Sequence, residues 1–197
     1  MLHSRIHRLL TSLAVTVLAG VGSLCLASCA ADETEYSTSY QCYFMFDTTY
    51  HPNSFIKTCV EPLTSGTFCI VTKAPLDGSA YRLNVTPCSG HADPDDIKTA
   101  EETRRSCILG CNNGLIIGRS TLNNGELYAF DLMCPNCLNA SLYKKTAFAH
   151  NGLWAKCSYC GRSYDLNNRG VVVEGDPGNK LLRYRASYSG TVLMVSN

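Results

Sequence analysis

The chain opens with eighteen positions, Leu9 to Leu26, that carry no charge and no polar group larger than a hydroxyl. Beyond Tyr40 the apolar residues fall instead into short runs bounded by turn formers. Gln41 to Phe46 and Thr67 to Thr72 are rich in aromatic and β-branched residues and predict strands. The stretch between them, with Pro52, Pro62 and Gly66, reads as loop. Asp93-Pro94-Asp95-Asp96 offers an N-cap, a proline at the first helical position and acids in the first turn. Arg104, Arg105 and Gly110 mark a far end, so one helix is predicted from about residue 94 to 109. Leu115 to Thr121 and Glu126 to Leu132 flank Asn124-Gly125, a strong hairpin signal. Further strands are predicted near Leu153 to Lys156, Arg162 to Asp165, Val171 to Val173, Leu181 to Ser187 and Thr191 to Val195. The expected class is mainly β with one helix.

The apolar opening follows Arg5 and Arg8, a basic flank free of acids, as in a secretory signal. A membrane-spanning helix is the competing account, since about eighteen residues can cross a bilayer. Leu26-Ala27-Ser28-Cys29 tips the balance because it resembles the bacterial lipobox. That resemblance implies cleavage after residue 28, a diacylglyceryl thioether on Cys29 and an acylated amino terminus, enough acyl chains for a stable anchor. The expected organisation is a signal peptide over 1–28, an acylated Cys29 with a polar tether to residue 40, and one domain over 41–197. The two arginines are not adjacent, so export of an unfolded chain is expected rather than twin-arginine transport. The implied location is the bacterial cell envelope, outer membrane first, with the periplasmic or surface-facing side left open.

Charge narrows the partners. Seventeen basic residues face sixteen acidic ones over the whole chain, a formal net charge of +1. Cleavage after residue 28 would leave 169 residues with 15 basic and 16 acidic side chains. Without an excess of lysine and arginine to displace counterions, nucleic acid is not an expected partner. Twelve cysteines in 197 residues point to export, metal binding or both.

Four of them form a pattern. Cys134-Pro135-Asn136-Cys137 and Cys157-Ser158-Tyr159-Cys160 make C-x2-C-x19-C-x2-C, within the spacing of a four-cysteine metal site. Two residues between cysteines form a tight knuckle that aims both sulfurs at one point, and two knuckles complete a tetrahedron. Lys144, Lys145, Lys156 and Arg162 lie nearby in sequence and are expected to offset its charge. Disulfides are the competing account in an oxidising compartment.

The residues around these cysteines resemble the Rieske iron–sulfur domain. Tyr128-Ala129-Phe130-Asp131, Cys134-Pro135, Cys157, Gly161, Tyr164-Asp165-Leu166, Gly170, Pro177, Leu182, Tyr184 and Gly190 fall in that family's order, from Gly114 to the C-terminus. The resemblance implies an antiparallel β-sandwich over 41–197, with a small rubredoxin- or zinc-ribbon-like metal-binding subdomain inserted at 132–166. The departure lies at the ligands: Asn136 stands where the family has its first histidine and Cys160 where it has its second. Two imidazoles give Rieske clusters their raised potential, so that family's electron-transfer and oxygenase chemistry does not carry over. The occupants rank as zinc, then a [2Fe–2S] cluster, then disulfides. Export on an unfolded chain counts against the cluster.

The remaining features rank lower. Cys88-Ser89-Gly90-His91 reads as a loop cysteine and an exposed histidine, and His150 as a solvent-facing turn residue. Cys42, Cys59, Cys69, Cys88, Cys107 and Cys111 allow up to three bridges in 15 connectivities, or pack as free thiols. Only His51, His91 and His150 follow the signal segment. No nucleophile–base, phosphate-loop or dinucleotide motif is present. The expected function is therefore a lipid-anchored, non-catalytic module with structural zinc, binding an unidentified protein or ligand at the envelope. A [2Fe–2S] electron carrier is the alternative, and thiol–disulfide exchange through Cys134 and Cys137 ranks last.

Overall fold

The computed structural model describes residues 35–138 and 142–197. The apolar opening, the lipobox-like Cys29 and the first part of the tether lie outside the described residues. Among the described residues no helix is long and apolar enough to cross a membrane. Residues 36–197 make one compact unit.

Two antiparallel sheets carry that unit. The centre of the larger one is β2 (Phe68–Pro75), β6 (Gly114–Arg119) and β7 (Leu127–Asp131). On one side β2 pairs with β3 (Tyr81–Pro87), which pairs with the edge strand β4 (Asp95–Ile97). On the other side β7 pairs with β12 (Arg183–Tyr188), followed by β13 (Val192–Ser196), β1 (Cys42–Asp47) and β5 (Ile108–Leu109). β12 changes partner along its length. Arg183 and Tyr184 face β7, whereas Arg185 to Tyr188 pair with β13. Such a strand makes a corner, letting the two wings of the sheet face each other. Between the wings lies a core of Phe44, Phe46, Val71, Leu83, Leu115, Ile117, Leu193 and Val195, closed by Ile56, Cys59 and Val60 of α1 (Phe55–Val60).

The central strands are buried on both faces. Successive side chains point to opposite sides of a strand. Cys69, Val71, Leu115 and Ile117 therefore enter the first core, while Phe68, Ile70, Ile116, Tyr128 and Phe130 enter a second. Opposite that second face lies the smaller sheet, in the order β11 (Val171–Glu174), β10 (Ser163–Asp165), β9 (Trp154–Lys156) and β8 (Ala147–Ala149). Ala155, Tyr164 and Leu166 bring it into the same cluster as Cys134, Cys137 and Cys157. Fully burying one phenylalanine is worth about 1.5–3 kcal/mol, so this shared core couples the cysteine loops to the body of the protein.

The expected hairpin at Asn124-Gly125 forms: β6 and β7 pair from Leu115↔Asp131 to Arg119↔Leu127. Asn124 and Gly125 take the left-handed φ values of 57° and 71° that connection needs. The predicted helix over 94–109 does not form. That segment is β4, a four-residue helix α2 (Ala100–Thr103) and β5. Its cap is Thr99 rather than Asp93: the Thr99 Oγ1 accepts from the Glu102 amide at 3.2 Å and donates to the Glu102 carboxylate at 2.7 Å. This is a side-chain N-cap in which the Thr99 hydroxyl also holds the Glu102 carboxylate, and upstream of it the ladder with Tyr81–Leu83 draws residues 95–97 into the sheet. Helix α1, within the segment read as loop, starts at Ser54, whose Oγ accepts from the Ile56 amide at 3.1 Å.

Candidate metal centre

Both knuckles grow from strand ends. Chain leaving β7 reaches Cys134 through Met133, and α3 (Pro135–Leu138) turns it back at once, with the Cys137 amide bonded to the Cys134 carbonyl at 3.2 Å. Chain leaving β9 does the same at Cys157, where the Gly161 amide returns to the Cys157 carbonyl at 2.9 Å. Gly161 has φ +74°, with open space where a Cβ would sit. Glycine is therefore required there by backbone conformation, not by crowding.

The four sulfurs of Cys134, Cys137, Cys157 and Cys160 all lie within 4.8 Å of one another. Two edges run between the knuckles: 3.6 Å from Cys134 to Cys160 and 3.7 Å from Cys137 to Cys157. A disulfide needs about 2.05 Å. Four thiolates at about 2.3 Å from one zinc ion would stand about 3.8 Å apart, the edge of a tetrahedron. A two-iron cluster spreads its terminal sulfurs further, roughly 5.5–6.5 Å across the iron pair, because each iron keeps its own tetrahedron. The group as found is sized for a single ion. Cys134, Cys137 and Cys157 are buried and Cys160 is half-buried, so one corner of the tetrahedron lies nearest solvent.

Around the sulfurs the polar groups are ordered. Asn136 donates from Nδ2 to the Tyr164 hydroxyl oxygen at 3.0 Å, leaving the Tyr164 O–H free to donate to Cys134 Sγ at 3.0 Å. The same Asn136 amide bonds Asn179 twice, donating to its carbonyl and accepting from its N–H, both at 2.8 Å. Asn136 thus straps the loop before β12 to the first knuckle. Of the four nearby cations, Arg162 donates to the Asp176 and Pro177 carbonyls and acts electrostatically on the Cys160 sulfur. Lys144 instead lies over the Tyr159 ring at 5.2 Å, and Lys156 pairs with Glu174 at 3.7 Å. Burial pushes the Cys134 and Cys137 thiols up. At Cys160 burial also raises the thiol, but the Arg162 backbone and guanidinium and the neighbouring sulfurs outweigh it, bringing it to about 7.

The other sequence candidates stay apart from this group. His91 is exposed beside Asp93, and His150 is exposed and stacks on Trp154 with ring centres 4.0 Å apart. All six remaining described cysteines are free thiols, with Cys42, Cys59 and Cys69 in the core. Sequence reasoning passed over His51, which the fold places between Asp95 and Glu102. In comparisons with known proteins, no family model, curated sequence or solved structure matches the chain.

Proposed function

We propose that this is a lipid-anchored protein of the bacterial cell envelope whose Rieske-like domain holds one structural zinc ion through Cys134, Cys137, Cys157 and Cys160. The observation that carries this is the size of the sulfur group, with every sulfur within 4.8 Å of the others. Four thiolates suit zinc and fill its coordination shell. No position remains open for water or substrate, so the role is to hold the fold, and the protein acts by binding a partner at the envelope. Support for the anchor comes from the sequence, where the basic flank, the apolar run and Leu26-Ala27-Ser28-Cys29 stand in the order of a lipoprotein signal.

Support for the Rieske-like domain comes from two features together. Motifs in family order run from β6 to β13, and the two cysteine loops project from strands packed on a shared core. The [2Fe–2S] alternative needs a wider spread of sulfurs than this group has.

Metal analysis with an absorbance spectrum on the full chain, purified without added metal, tests the proposal. About one zinc per chain, no visible bands and four protected thiols are expected. Iron with charge-transfer bands would overturn it and make this a redox protein.

A further inference from the structure

Far along the chain from the cysteine knuckles, the loop after β1 carries His51 between two carboxylates. Its Nε2 lies 2.7 Å from Glu102 Oε1 and its Nδ1 3.4 Å from Asp95 Oδ1. The three side chains are 12%, 7% and 9% exposed, so water does little to screen them. Each acid is also engaged on its other oxygen: Ser54 donates to Asp95 Oδ2 at 2.6 Å and Thr99 to Glu102 Oε2 at 2.7 Å. A neutral imidazole donates from one nitrogen only, whereas the imidazolium donates from both. Two carboxylates on opposite nitrogens therefore select the protonated ring. The acids are bridged across the ring rather than gathered at a point. Among the described residues only the four cysteines converge as metal ligands.

The surroundings leave this charge to His51. From β1, the Phe46 ring stacks on the imidazole at 5.0 Å, and Asp47 adds a further negative charge, itself engaged by Thr49. From α1 comes the capping Ser54 hydroxyl. From β4, Asp96 bonds Arg82 and Lys98. From β3, Tyr81 lies close enough to Glu102 to feel its charge. On α2, Glu101 takes both the Tyr50 hydroxyl and Arg105. Besides the ring, the segment is held by the three-residue ladder of β4 on β3, by Ile97 in the core and by the Arg82–Asp96 pair, and α2 is a single turn.

We propose that His51 is a pH-operated latch. As imidazolium it ties β4 and α2 to the loop after β1, and loss of its proton to solvent releases residues 95–103 and uncovers the edge of β3. The interaction with Asp95 raises the His51 pKa most; burial opposes it, and the bond donated to Glu102 adds to it, so the ring titrates above its ordinary value of about 6.5. A raised folded value means the latch is fully closed below that ordinary value and opens as pH rises through the folded one. The neutral ring then offers one donor where the two enclosed carboxylates had two, beside the Ser54 and Thr99 hydroxyls.

Hydrogen exchange of the full chain, corrected for intrinsic rates and compared at about pH 6 and about pH 9, tests the latch. Protection over 95–103 is expected to fall about tenfold or more at the higher pH, while β6 and β7 hold theirs. His51→Gln is expected to remove that dependence, leaving 95–103 weakly protected at both values. Unchanged protection in the parent, or the same pH dependence in His51→Gln, would overturn the proposal. Should the variant fail to fold, an NMR titration of the His51 ring in the parent decides: a midpoint above about 6.5 supports the latch, and one at or below it refutes it.

Discussion

Replacing Cys157 by serine removes one corner of the sulfur tetrahedron while changing one atom. Cys157 is fully buried, its sulfur 3.7 Å from that of Cys137, within the core shared by both sheets. Structural zinc contributes about 10–16 kcal/mol of apparent binding energy in small zinc domains. One ligand in four is then worth about 2.5–4 kcal/mol. Against a net stability of about 5–15 kcal/mol that is a large share. For a domain of this size, about 1 kcal/mol moves the melting temperature by roughly 2–4 °C. Cys157→Ser should therefore melt about 5–15 °C below the parent. Thermal unfolding followed by circular dichroism, with and without a strong chelator, separates metal loss from packing loss. The parent should drop sharply when chelated, and the variant, with three ligands left, should drop as well from its lower starting point. If Cys157→Ser melts with the parent, or the parent ignores the chelator, the four cysteines do not hold a structural metal.

Three further outcomes follow from the same contacts. Tyr164→Phe removes the hydroxyl between Asn136 and Cys134; it should keep one metal per chain, cost about 1–2 kcal/mol and speed chelator-driven release, read from the rate of metal transfer to a coloured chelator. Asp131→Ala strips the acceptor from the Cys111 and Met133 amides and the Tyr184 hydroxyl, and leaving two buried donors and one half-buried donor orphaned should cost about 3 kcal/mol in urea titration. Metal uptake by metal-free protein should release protons and weaken as pH falls, because burial holds the Cys134 and Cys137 thiols up and each must deprotonate to bind; equal affinity across neutral and mildly acidic pH would contradict thiolate ligation.

Sequence reading went furthest where the signal was local. The paired knuckles were legible because two intervening residues constrain where both sulfurs point, whatever else the chain does. Asn124-Gly125 was legible because few residues accept positive φ. The segment 94–109 misled for the same reason. Its proline and acids look like a helix start over a few residues, yet Asp95 pairs with Leu83 in the β3–β4 ladder and bonds Ser54. Strand β3 went unread although Tyr81, Leu83 and Val85, all buried, alternate with Arg82, Asn84 and Thr86, half-buried or exposed.

What the chain determines by itself is a strand-rich domain with two turns of cysteines, because strand period, turn chemistry and knuckle spacing act over two to six residues. The tertiary structure alone decided that Cys134 stands 3.6 Å from Cys160 and Cys137 3.7 Å from Cys157, and that all four fit one ion. It alone enclosed His51 with acids some 44 and 51 residues further along the chain. The pull of a buried carboxylate on an imidazole, or of one sulfur on another, depends on distance in space, and only the packed sheets set that distance.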